Sequence, residues 1–144
     1  MLRFIQNMSI IKLKSSDEKI LNIEKDVASI SITIKNLLEF TNEDDEEEIP
    51  LPNVSYCILE KVIEWCVYHK EYPCVKYARE KLCEEWDRKY LKNNNDILAD
   101  ISLAADYLDI RSLFDLCCIG IMDKILQMDP TEFKEKFLKG DESI

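Results

Sequence analysis

The first regular signal along the chain is an alternation of apolar and polar positions. Ile11, Lys12, Leu13 and Lys14 alternate, as do Leu21, Asn22, Ile23 and Glu24, which predicts two half-buried β-strands. Ser15, Ser16, Asp17 and Glu18 lie between them with turn-forming side chains, so the pair predicts a hairpin with one packed face. A short helical stretch is predicted around residues 26–30. Ser31 then stands as the N-cap of a helix whose Ile34, Leu37 and Leu38 recur at i, i+3 and i+4. Ile49-Pro50-Leu51-Pro52 predicts only a short edge strand, because its prolines cannot donate to a sheet interior.

After Asn53, which offers a cap, the period becomes helical throughout. Leu59, Val62, Ile63, Cys66 and Val67 define one buried stripe, on a helix predicted to end near His69 and Lys70. Residues 71–89 are polar, mixed in charge and carry Pro73; they predict a long connection with a single helical turn before Trp86-Asp87. Asn93-Asn94-Asn95 is turn chemistry, and Asp96 is the predicted cap of a helix with Ile97, Ile101, Ala104, Ala105 and Leu108 inward. Asp109 is the predicted start of the next helix. There Leu113, Leu116, Cys117, Gly120 and Ile121 form one stripe, while Phe114, Cys118, Met122 and Ile125 form a second. A helix with two stripes is covered on both sides or exposes an apolar face. Asp129-Pro130-Thr131-Glu132 is a helix start, with Phe133 and Phe137 following at i, i+4 and Gly140 at the expected C-cap.

Composition narrows the functional class. The 144 residues, 47% of them hydrophobic, suit one folded unit with a real core. The 29 acidic residues outnumber the 19 basic ones for a net charge of -10, so the surface repels phosphate backbones and anionic headgroups. Neither nucleic acid nor membrane is an expected partner. No apolar run nears the roughly 20 residues that span a bilayer, and Met1-Leu2-Arg3-Phe4-Ile5 lacks a signal-peptide core, so a soluble intracellular protein is expected, with Met8 an alternative start. The run Asn42 to Glu48 must be solvated, since unpaired carboxylates lose their hydration on burial. It lacks the regular spacing and central glycine of a calcium loop and reads as a solubilising loop.

The candidate chemistry is sparse. Six cysteines without a secretory signal read as thiols rather than disulfides. Cys57 and Cys66 share one helix, Cys117 and Cys118 another, and Cys74 and Cys83 a polar segment; without a C-x-x-C pair, and with only His69 to help, neither a zinc site nor any cofactor is expected. His69 at a helix C-terminus is expected to complement the helix dipole. Gly120 and Gly140, the only glycines, cannot build a phosphate-cradling loop, and no nucleophile motif is present. Enzyme is therefore the weaker class, and a small acidic α+β protein with an exposed apolar helix face points to protein binding.

Several segments match one family in order and spacing. Ile11 to Asp17, Ser31 to Leu38, Pro50 to Val54, Ile58 to Cys66 ending V-I-E-W-C, and Ala104-Ala105-Asp106-Tyr107-Leu108-Asp109-Ile110 resemble the Skp-one family, the F-box adaptors of SCF cullin-RING ubiquitin ligases. Trp86-Asp87 and Asp129 to Glu132 fit as well, so the resemblance runs from about residue 9 to 138. It implies a BTB/POZ fold of the α+β class, with an extension at 1–8, the domain at 9–128 and a shortened F-box-binding helix at 129–144. The domain would carry an acidic loop at 41–48 and a variable loop at 71–89. The implied role is a non-catalytic adaptor between a cullin N-terminal domain and an F-box protein, in cytoplasm and nucleus.

The resemblance also implies site residues. Ile34, Leu37, Asp106 and Tyr107 would face the cullin, although Ile34 and Leu37 equally suit ordinary core positions. Leu98, Phe114, Cys118, Ile121, Met122, Phe133 and Phe137 would line the F-box groove. Asp106 stands where the family usually has Asn, which changes the charge offered to the cullin. The segment after V-I-E-W-C is richer in Tyr, Cys and basic residues than the family's loop. The family's terminal Trp-Cys tail has no counterpart. That leaves a second reading open: an elongin C-like adaptor, or a truncated competitor that occupies the cullin without normal F-box binding.

Overall fold

The structure, a computed structural model, describes residues 9–40, 48–73, 85–131 and 135. The two alternating segments pair as antiparallel strands β1 (Ile10–Lys14) and β2 (Ile20–Glu24), with Ile11 opposite Ile23 and Leu13 opposite Leu21. Leu13 and Ile23 are buried, so the apolar half of the alternation faces the core as predicted. The third strand, β3 (Glu48–Pro50), runs parallel to β1 and gives the order β2-β1-β3. It lies at the edge, where Pro50 interrupts no interior ladder.

Helices cover this sheet. A short α1 (Lys25–Ala28) leads into α2 (Ile32–Glu39), and Ser31 caps α2 by accepting a 3.1 Å hydrogen bond from the Ile34 amide. The long α3 (Tyr56–Glu71) starts later than Asn53 would have placed it. Its cap comes from the hairpin turn: Asp17 Oδ1 accepts the Tyr56 amide at 2.9 Å and the Ser15 hydroxyl at 2.6 Å. The Ser15 hydroxyl first, and then the Tyr56 amide, hold the Asp17 carboxyl below its ordinary range.

Residues 85–93 correct the expected connection. They form a two-turn helix, α4 (Glu85–Asn93), whose Asp87 and Tyr90 point inward. Trp86, Tyr90 and Leu91 are its only apolar residues, so a segment this polar overall reads as a connection even though its few apolar side chains follow a helical period. The α3 stripe turns accordingly. Leu59, Val62, Trp65, Cys66 and His69 are buried, whereas Val67 is exposed, because α4 covers the side that carries Trp65 and His69.

A 3-10 turn (Asn95–Ile97) precedes α5 (Leu98–Leu108), so Asp96 does not cap that helix. Asp109 also differs from expectation: it closes α5 in the left-handed region at φ 53°, and α6 (Arg111–Gln127) begins two residues later. The core stripe of α5 is otherwise as read, with Ile101, Ala104, Ala105 and Leu108 buried. Small alanine side chains let α5 and α6 pack closely. No helix of the described residues is long and apolar enough to cross a membrane. The acidic run 41–47, Cys74, Cys83, Phe133, Phe137 and Gly140 lie outside the described residues.

Candidate protein-binding faces

The first candidate face forms where α2 begins and α5 ends. The Ser31 hydroxyl donates to the Leu108 carbonyl, the Thr33 hydroxyl donates to the Tyr107 carbonyl at 3.0 Å, and the Ser31 oxygen at the same time caps α2. These bonds satisfy carbonyls that the end of α5 leaves without intrahelical partners and dock two helices more than 70 residues apart in sequence. Leu37, 40% accessible, and Asp106 are exposed, and Tyr107 is half-buried. Ile34 is different. At 1% accessibility its side chain takes the core position, one of the two places that the sequence allowed it. Leu37, three residues on, lies about 60° round the helix from Ile34, at the edge of the buried side, and remains partly in solvent.

Three exposed apolar residues on these helices escaped the sequence reading. Ile32 and Phe40 flank Leu37 on α2 and its C-cap, and Leu103, 68% accessible, lies one turn before Tyr107 on the same side of α5. Their signal was available as apolar positions outside the core period. Single exposed apolar residues are ordinary, and what singles these out is that they sit on the two helices that the Ser31 and Thr33 hydroxyls tie together.

The second candidate face is the outward side of α6. Leu113, Leu116, Cys117 and Gly120 are buried against the core, as the first stripe predicted. On the other side Phe114 and Ile121 are half-buried, Cys118 is exposed and Met122 is 40% accessible. Ile125 and the more exposed Leu126 extend this stripe towards the C-terminus. Arg111 lies over the Phe114 ring at 5.1 Å, so its cation covers the rim of the stripe. Leu98 does not join it: at 2% accessibility it is packed beneath α4 and α6, beside Gly120.

Between α3 and α4 the polar groups form a structural seam. His69, the single histidine, is 7% accessible; its Nε2 lies 2.8 Å from Asp87 Oδ1 and its Nδ1 2.8 Å from the Tyr72 carbonyl oxygen. Its ring packs 4.4 Å from that of Trp65, and Tyr68 stacks on Trp86 at 4.1 Å. Thus the histidine expected only to complement a helix end also bonds α3 to α4. Burial pushes the thiols of Cys66 and Cys117 up to about 12, which leaves them protonated and unreactive at neutral pH. Among the described residues no group of three His, Cys, Asp or Glu side chains is placed to hold a metal ion.

A mixed sheet under helices, with apolar residues left outside the core on two separate faces, defines a protein-binding module of the BTB/POZ type. The family model described as "Skp1 family, tetramerisation domain" matches residues 9–71. SCF ubiquitin ligase complex protein SKP1a of Dictyostelium discoideum is 40% identical over 141 residues, covering 93% of this chain and 86% of the relative. The E3 ubiquitin ligase complex SCF subunit sconC of Talaromyces stipitatus is 39% identical over 133 residues, with 88% and 82% covered. The sconC protein of Aspergillus fumigatus is 40% identical over 136 residues, with 90% and 85% covered. The chain belongs to the Skp1 family.

Proposed function

We propose that this chain is a non-catalytic adaptor subunit of an SCF-type ubiquitin ligase, joining a cullin N-terminal domain to an F-box substrate receptor. The observation that carries the reading is identity near 40% to SCF subunits across nearly the whole chain. The two apolar faces supply places for two partners. The α2–α5 face, with Leu37, Leu103, Asp106 and Tyr107, is assigned to the cullin. The α6 stripe, with Phe114, Cys118, Ile121 and Met122, is assigned to the F-box, and its sequence continuation through Phe133 and Phe137 to the same partner. Each apolar side chain buried there contributes about 1.5–3 kcal/mol before the cost of association. The adaptor works in cytoplasm and nucleus and supplies no reacting group.

Co-purification with a cullin N-terminal domain and, separately, with an F-box peptide tests this reading. Binding to both is expected, and binding to neither would sink it. Binding to the cullin alone would favour a competitor that occupies the cullin without a receptor. Within the cullin face, Tyr107→Ala is expected to weaken cullin binding by about tenfold with little change in melting temperature. Unchanged affinity would remove Tyr107 from the interface.

A further inference from the structure

The most exposed apolar residue of α5 has neighbours that constrain what can cover it. Leu103 is 68% accessible, and Asp100 and Asp106 stand three residues before and after it, both exposed. Each step of three turns about 60° back round the helix, so the three side chains share one solvent arc, with the carboxylates about 9 Å apart along the axis. Tyr107, one turn after Leu103, completes that arc. Among the described residues neither carboxylate has a hydrogen-bonding or ionic partner. The stretch 93–110 holds four aspartates and no Lys, Arg or His. The next cation, Arg111, is held by Asp115 at 3.3 Å, and α2 carries one cation, Lys35, against one anion, Glu39.

Charge therefore selects the occupant. A surface that packs on Leu103 also covers or borders both carboxylates, and a carboxylate that loses water without gaining a cation is destabilised. A purely apolar partner surface fits poorly. A second copy of this chain docked face to face would set aspartate against aspartate, in molecules of net charge -10 each. An amphipathic helix with an apolar side chain between basic ones matches the whole row, its Lys or Arg meeting Asp100 and Asp106. Helix α6 has a different balance, two cations, Arg111 and Lys124, against two anions, Asp115 and Asp123. The two candidate faces thus differ in sign, which keeps a basic partner to the α5 side.

Resting on the adaptor reading, we infer that the cullin-facing surface is selective for a basic helix, with Asp100 and Asp106 as its specificity-determining residues and Leu103 as the apolar anchor between them. The test follows association and dissociation of the full chain with a cullin N-terminal domain at low and at high salt. Asp100→Asn with Asp106→Asn is expected to weaken binding about tenfold at low salt, mainly through slower association, and to remove most of the salt dependence at an unchanged melting temperature. Leu103→Ser is expected to weaken binding by a similar factor at both salt concentrations. Asp26→Asn with Asp123→Asn removes the same charge from exposed positions on α1 and α6 and is expected to leave affinity unchanged. Equal weakening by that control pair would make net charge the cause and overturn the inference. Cullin binding that is indifferent to the Asp100 and Asp106 changes, or to Leu103→Ser, also overturns it and leaves the adaptor reading standing. A cullin domain that does not bind the unaltered chain overturns both.

Discussion

The α2–α5 face and the outward stripe of α6 both leave apolar side chains in solvent, yet they are built in opposite ways. The α6 stripe belongs to one helix, so its geometry follows from helical spacing alone: Phe114, Cys118, Ile121 and Met122 share a side because 3.6 residues make a turn. The α2–α5 face exists only when two distant helices are tied together by the Ser31 and Thr33 hydroxyls on the carbonyls of Leu108 and Tyr107. One surface is a property of a segment, the other a property of the fold. Changes far from the contact should therefore damage the second more readily than the first.

The largest effect separates core from surface on α2. Ile34→Ala should cost about 3 kcal/mol of stability by opening a cavity, while Leu37→Ala should leave stability nearly unchanged and weaken cullin binding. Chemical denaturation with and without a cullin domain distinguishes them. Equal losses of stability would place both residues in the core. Next, Phe114→Ala combined with Met122→Ala should lower F-box peptide affinity by about 2 kcal/mol while cullin affinity stays put, as calorimetry on both partners would show. Loss of both affinities would mean that the two faces are not independent. Smallest, Ser31→Ala should cost about 1 kcal/mol of stability by removing a cap and a tether. It should also reduce cullin affinity more than F-box affinity, since α2 is then less firmly held on α5. An equal effect on both partners would contradict the contrast drawn between the faces.

The same contrast explains what could be read from the sequence. Strands β1 and β2, the cap at Ser31 and the double stripe of α6 depend on neighbours within a few residues, and all were legible. The cap of α3 was not, because Asn53 lies beside the helix in sequence whereas Asp17 reaches it from the hairpin turn in space. Helix α4 was missed for a related reason. Its inward Asp87 reads as a solvent-facing charge until His69 is known to face it. On the candidate faces, Leu37 and Tyr107 were expected from family resemblance, and the structure leaves the first exposed and the second half-buried. Leu103 needed the structure, because its exposure depends on which elements pack on α5 and not on its own local pattern.

The seam between α3 and α4 has an optical consequence. Trp65 and Trp86 are the only tryptophans in the chain, and their rings lie 4.4 Å and 5.6 Å from the single imidazole. Tryptophan emission from this protein therefore originates wholly at one joint, beside the two ends of the segment that connects α3 to α4. An unlabelled sample carries a native tryptophan pair at that joint and no tryptophan on either candidate face. Partner binding that leaves the emission spectrum still would report docking at a distance, and a spectral shift would report that the joint itself had moved.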